Sequence, residues 1–241
     1  MLIDPQNLAV HVNHVRSRIR RAATAAGRDP ASVTLVAVSK SKPAECVRSV
    51  ATAGVTDFAE NYLQEAVSKL DGLEDLPLRW HFIGGLQSNK TRAVAERFQW
   101  VHSVDRFSVA RRLSDQRPFH APPLNVCLQV ALVPEPTKRG VEPENLPELA
   151  AGIAALARVK LRGLMCIPPP QPDVTAERAL FARLRILLEQ LNAVGHELDT
   201  LSMGMSSDFE SAIAEGATHV RIGTAIFGAR TNNTQKDQRL P

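Results

Sequence analysis

Aromatic side chains are scarce in this sequence: they make up 5% of 241 residues, and Tyr62 is the one tyrosine. No basic tract is interleaved with them, and the net charge of +4 is spread along the chain, so a nucleic-acid surface is not indicated. No apolar run approaches the ~18–20 residues a membrane helix needs. The first residues lack the apolar stretch of a secretory signal. Their basic run "HVRSRIRRAA" would suit a transit peptide, but Asp4 and the helical pattern through the run argue otherwise. Cysteine is limited to Cys46, Cys127 and Cys166, each in or beside an apolar segment. An odd set so placed reads as small core residues in a reducing compartment, and a cytoplasmic protein is expected. No GxGxxG follows the first strand pattern, and neither a GxSxG elbow nor a CxxC pair occurs.

What is present is an alternation of two periods. Apolar positions at helical spacing run over residues 4–26 (Leu8, Val12, Val15, Ile19, Ala22) and close at Gly27. Strand-like runs then appear at 34–40, 56–61, 79–85, 100–105, 125–132, 160–167, 200–205 and 219–228. Helical patterns separate them at about 43–53, 62–71, 89–97, 106–115, 144–157, 174–194 and 208–215. Eight near-continuous apolar strands alternating with helices predict an α/β fold, a single (β/α)8 TIM barrel with an extra N-terminal helix. An open doubly wound sheet is the alternative. No linker divides the chain, so one domain over 1–230 is expected, with a polar, disordered tail at 231–241.

Lysine is also sparse, 7 residues against 22 arginines, and one of the seven ends the first strand run, "TLVAVSK". A buried ammonium is costly unless it is paired or loses its proton. Lys40 is therefore either a strand-end cation reaching water or an amine kept for its chemistry. In a barrel of this kind the active site lies at the C-terminal strand ends, and phosphate sites after strands seven and eight are frequent. There, "GMSSDFESAI" (204–213) reads as a strand entering a helix, with Asp208 as N-cap and small residues around Ser206. "RIGTA" (221–225) offers a second donor set through Gly223 and Thr224. A desolvated lysine attacks aldehydes, and beside a phosphate cup across the barrel mouth the natural aldehyde is pyridoxal 5′-phosphate. Arg221 is the other anomaly, a guanidinium inside an apolar run. Its partner is either a carboxylate or the pyridine nitrogen of such a cofactor. His11 and His14 lie three apart with no third ligand nearby, so no metal site is expected. His81 reads as a hydrogen-bonded core histidine, and Met203 and Met205 as packing residues.

Taken together, "AVSKSKP", "ENYLQEA", "WHFIGGLQSNK", "RGLMCIP", "LSMGMSSDFESAI" and "VRIGTAIFGAR" resemble the pyridoxal phosphate homeostasis protein family, related to the alanine racemase N-terminal domain. The match runs in order over roughly residues 8–230. The resemblance implies a single-domain (β/α)8 barrel that binds pyridoxal phosphate as a Schiff base on Lys40. Ser206, Gly223 and Thr224 would hold the phosphate, Arg221 would face the pyridine nitrogen, and Asn61 and Met165 would line the ring. Ser207 stands where many relatives carry an acidic residue, and Gly85 at a position that varies among them.

The same resemblance poses a choice between carrier and catalyst. A two-base racemase needs a tyrosine from a further domain opposite the lysine. This chain ends with the barrel, and its lone tyrosine belongs to the "ENY" motif. The expectation is a non-enzymatic protein of intracellular vitamin B6 homeostasis, buffering the cofactor and delivering it, with apo-enzymes as its acceptors. It is expected to be a monomer without membrane or nucleic-acid partners. Lys42, two residues past Lys40, would project to the same side if strand geometry persisted, and could relay the aldehyde; the alternative is a solvated loop lysine. A phosphosugar aldolase would need acid/base carboxylates beside the lysine, for which Asp57 and Glu60 are the candidates.

Overall fold

A computed structural model describes residues 5–133 and 139–228. The leading helix α1 (Pro5–Ala25) buries Leu8, Val12, Val15 and Ile19, the stripe its spacing predicts. It packs on the helices over residues 44–52, 209–214 and 224–227 and ends where Gly27 takes a left-handed φ of 67°. Eight parallel strands follow: β1 (Thr34–Val38), β2 (Asp57–Glu60), β3 (Arg79–Phe82), β4 (Trp100–Val104), β5 (Leu124–Gln129), β6 (Val159–Met165), β7 (Thr200–Ser202) and β8 (His219–Ile222). They close in sequence order, β8 pairing back onto β1 with Val36 beside Arg221. The intervening helices are α2 (Ala44–Thr52), α3 (Leu63–Asp71), α4 (Thr91–Arg97), α5 (Phe107–Gln116), α6 (Leu146–Ala154), α7 (Val174–Ala193) and α8 (Phe209–Ala214). The fold is the α/β barrel the alternation predicts.

One predicted strand divides. The run 219–228 is strand only to Ile222; after Gly223 the chain turns into a short helix, α9 (Thr224–Phe227). Apolar continuity carries no period, so a strand and a buried helical turn look alike in that run. The expected tail at 231–241 lies outside the described residues.

Because side chains alternate across each strand, the barrel has two interiors. Ala37, Phe58, Phe82, Val101, Val126, Leu164, Val220 and Ile222 face outward and join one continuous apolar core beneath the helices. The inward residues are different. Among the described residues two small apolar clusters occur there, Val36–Val38–Ala59 with Ile83, and Trp100–Cys127–Met165. The remaining inward positions include Asp57, His81, His102, Ser202 and Arg221, all buried. The three cysteines are buried free thiols, and burial pushes Cys127 and Cys166 up to about 12. None of the described helices is long and apolar enough to cross a membrane.

Candidate functional site

At the C-terminal ends of the strands a cavity of about 580 Å³ opens, walled by Val38, Ile83, Ile167 and Phe227. Its polar lining is Lys40, Lys42, Asn61, Ser206, Ser207, Arg221 and Thr224, with Gly223 between the last two. Six of the seven residues singled out for the site thus meet in one place. Met165 does not line the cavity; it is fully buried against Trp100 and Cys127.

The first strand stops at Val38, and Lys40 sits in the turn that follows. The register Val38–Ala59 places Lys40 and Asn61, each two residues further on, at neighbouring positions on the rim. Ser41 has a φ of 61°, a left-handed conformation that non-glycine residues rarely adopt. Both neighbours of Lys40 are tied down from behind. Lys69 of α3 donates to the Ser39 carbonyl at 2.7 Å and to Glu60 Oε1 at 2.8 Å, while Ser39 Oγ donates to the same Glu60 oxygen at 2.6 Å. Glu65 Oε1 accepts from the Ser41 amide at 2.5 Å and from Lys69 at 2.6 Å. Burial pushes the Glu60 carboxyl up, opposed by the Lys69 ammonium and the Ser39 hydroxyl. This knot was not legible in the sequence, although Lys69 falls four residues after Glu65 on α3, a spacing that joins opposite charges.

Two expectations change here. Strand geometry does not persist to Lys42: the Lys42 amide bonds back to the Ser39 carbonyl at 3.0 Å, closing a turn. Lys42 nonetheless reaches the cavity, and it is buried, donating to the Phe227 carbonyl at 2.8 Å, so it is no solvated loop lysine. The aldolase carboxylates are also misplaced. Asp57 begins β2 at the opposite end of the barrel, and Glu60 belongs to the knot behind the sheet.

The turns that carry Ser206, Gly223 and Thr224 lie beside Lys40's strand, not across the mouth from it. A side chain at Gly223 would press on the Val38 carbonyl at 3.3 Å, so glycine lets β8 turn tightly against β1. Ser206 Oγ accepts from the Ala225 amide at 3.3 Å and links the loop after β7 to α9. Asp208 does not cap its own helix; its carboxylate reaches back to accept from the Met205 amide at 2.6 Å and closes the loop that presents Ser206.

Among the described residues Arg221 makes no ion pair with a carboxylate. Nη1 donates to Ser202 Oγ at 2.7 Å and Nη2 to the Cys166 carbonyl at 2.8 Å. Burial lowers its pKa, yet a guanidinium remains charged. These two bonds leave N–H groups for a ligand in the cavity. Asn61 Oδ1 is buried without a hydrogen-bond partner. A side chain at Gly84 would strike the Asn61 carbonyl, so the loop after β3 packs directly on Asn61 and holds it. His81 is the buried, hydrogen-bonded histidine expected, and His11 donates from Nδ1 to the Ile226 carbonyl at 2.9 Å.

A (β/α)8 barrel gathering a lysine, a buried arginine and a small-residue loop at its mouth defines a class of small-molecule-binding barrel. The family model for the alanine racemase N-terminal domain matches residues 10–231. The chain is 61% identical to the pyridoxal phosphate homeostasis protein of Pseudomonas aeruginosa, over 92% of this chain and 96% of that one. It is 48% identical to the protein of the same name from Escherichia coli K12, over 93% and 97%. Among solved structures it is similar to PipY of Synechococcus elongatus with PLP bound: TM-score 0.78, 42% identity, covering 88% of this chain and all of that one. The chain belongs to the pyridoxal phosphate homeostasis protein family, within the alanine racemase N-terminal domain fold.

Proposed function

We propose that this chain binds pyridoxal 5′-phosphate in the mouth cavity and holds it for buffering and delivery, without turning over a substrate. The observation that carries the reading is the joint lining of one cavity by Lys40, Asn61, Ser206, Arg221, Gly223 and Thr224. When bound, the cofactor supplies an aldehyde able to condense with a primary amine. Lys40 is the amine, held in a fixed turn by the Lys69 knot behind it. Ser206 and Thr224 present hydroxyls to a phosphate, and Gly223 leaves the backbone open to it. Arg221 donates to the ring nitrogen, an acceptor. The partnerless Asn61 Oδ1 accepts from a ligand donor, which accounts for an otherwise costly buried atom. The names of the relatives and the PLP in PipY support the same ligand.

Two features favour a carrier over a racemase. Arg221 cannot give up a proton, so a ring nitrogen facing it stays unprotonated and the ring is a weak electron sink, which a racemase tolerates only with its second base in place. Tyr62, the one tyrosine, is 57% exposed where α3 begins and does not line the cavity. In this reading residues 1–230 are one cofactor-binding domain, cytoplasmic and monomeric, that passes its load to apo-enzymes. The test is to add pyridoxal phosphate, follow the near-visible absorbance, reduce with borohydride and map the adduct by mass spectrometry. A phosphopyridoxyl group on Lys40, lost in Lys40→Ala, is the expected result; its absence from Lys40 overturns the reading.

A further inference from the structure

Beneath the mouth, the inward polar residues are joined end to end. Arg221 Nη1 bonds Ser202 Oγ at 2.7 Å, and Ser202 Oγ bonds His102 Nδ1 at 2.7 Å. His102 Nε2 bonds His81 Nδ1 at 2.9 Å, and His81 Nε2 bonds Asp57 Oδ1 at 3.1 Å. Asp57 also accepts from Arg79 at 2.8 Å and 2.7 Å and lines a separate cavity on the opposite face of the barrel. We infer that Asp57, His81, His102 and Ser202 are positioning residues for Arg221, forming a one-way hydrogen-bond relay that holds its guanidinium toward the ring acceptor of the bound ligand. This rests on the reading of the cavity as a pyridoxal phosphate site.

The direction follows from counting protons. A carboxylate only accepts, so His81 must donate from Nε2. Both rings are fully buried, and burial keeps each neutral, which leaves one N–H apiece. His81 Nδ1 is then bare and accepts from His102 Nε2–H. His102 Nδ1 is bare in turn and accepts the Ser202 hydroxyl hydrogen. The Ser202 oxygen therefore turns its lone pairs on Arg221, and every donor in the chain points away from the mouth.

Reversing the tautomers shows what Asp57 contributes. If His102 carried its hydrogen on Nδ1, it would donate to Ser202, and the hydroxyl hydrogen would lose that acceptor and swing toward a cation. Four bonds away, the carboxylate at the barrel floor thus decides whether Ser202 attracts the guanidinium. The charged and titratable groups packed on the two rings are Asp57, Arg79, His219 and Arg221. Of these only Asp57 is an anion, and burial holds His219 neutral. Trp100 closes the remaining side, stacked on His81 with centroids 5.6 Å apart.

The first test uses the full chain without ligand. Two-bond 15N–1H spectra of its histidines should show His81 and His102 neutral, both with the hydrogen on Nε2, between about pH 6 and 8. A hydrogen on Nδ1 of His102, or titration of either ring in that range, overturns the relay. In Asp57→Asn, where the group facing His81 can either accept or donate, His102 should become a mixture of tautomers although it does not touch position 57. A His102 signal unchanged there also overturns it. The second test measures the dissociation constant of pyridoxine 5′-phosphate, which lacks the aldehyde and so does not report on Lys40. Ser202→Ala should weaken it about tenfold, and Ser202→Thr, which keeps the hydroxyl, should return it to within about threefold of wild type. Wild-type affinity in Ser202→Ala overturns the relay and leaves the carrier reading standing. If the unaltered chain binds neither phosphate, the carrier reading falls, and the tautomers still decide the relay.

Discussion

The two interiors of this barrel differ in what they demand of a side chain. The outer one, between sheet and helices, is a continuous apolar core in which each residue answers only to volume and shape. The inner one is a set of directed bonds, in which Ser202, His102 and His81 each have one donor and one acceptor committed. Apolar packing tolerates approximate replacement, whereas a directed chain loses its order when one member changes. The stability of the fold therefore resides mainly outside the sheet, and ligand specificity mainly within it. The Lys69–Glu60–Glu65 knot is an exception, a polar cluster on the outer side that serves the Lys40 turn.

The largest effect expected from that division is on the outer side. Phe181 of α7 is fully buried in the main core. Phe181→Ala should cost about 3–5 kcal/mol in urea unfolding, through lost transfer energy and the cavity left behind. Pyridoxal phosphate absorbance at a temperature where the variant stays folded should be unchanged. A variant that loses ligand binding while folded would break the comparison.

Acid should find the inner side next. Burial lowers the pKa values of His81, His102 and His219, so the folded chain keeps these rings neutral while the unfolded chain protonates them near their ordinary value. The unfolded state then binds more protons, and stability falls as pH drops below about 6.5, by up to about 1.4 kcal/mol per pH unit for each ring held neutral. Asp57 acts in a lower window. Burial alone would raise its pKa, but hydrogen bonds from His81 and Arg79 hold it below the usual carboxylate range. Its contribution is present above the ordinary value near 4 and is lost only as pH falls toward the depressed one. Denaturation measured at a series of pH values should therefore show two successive losses, the histidine one first on acidification.

The outer side was legible in the sequence, and much of the inner side was not. Leu8, Val12, Val15 and Ile19 reveal a buried helix stripe because helical periodicity is local. Lys40 and Arg221 stood out because they end or interrupt apolar runs, whereas Asn61 was carried in by its motif. The relay leaves no such trace: His102 and Ser202 are 100 positions apart, and their contact exists only once the barrel closes. His81 could be read as a satisfied core histidine, but not for whom it is satisfied. Met165 was carried to the ring wall by motif, while its packing with Trp100 and Cys127 depends on three strands. The turn at Gly223 was hidden because the run stays apolar through it.

The smallest expected effect bears on a single atom. Asn61 Oδ1 is buried without a partner, a state that costs about 1–3 kcal/mol of desolvation in the ligand-free chain. Asn61→Leu, close in volume, removes the orphan. It should leave stability unchanged or raise it by about 1 kcal/mol, while weakening pyridoxine 5′-phosphate binding several-fold. A gain of stability with a loss of affinity is the signature of a group placed for a ligand, because its cost in the free chain is recovered only when a donor meets it. If Asn61→Leu instead destabilised the free chain, the carboxamide would belong with the structural bonds of the barrel, and the line between a packing interior and a binding interior would have to be drawn below Asn61.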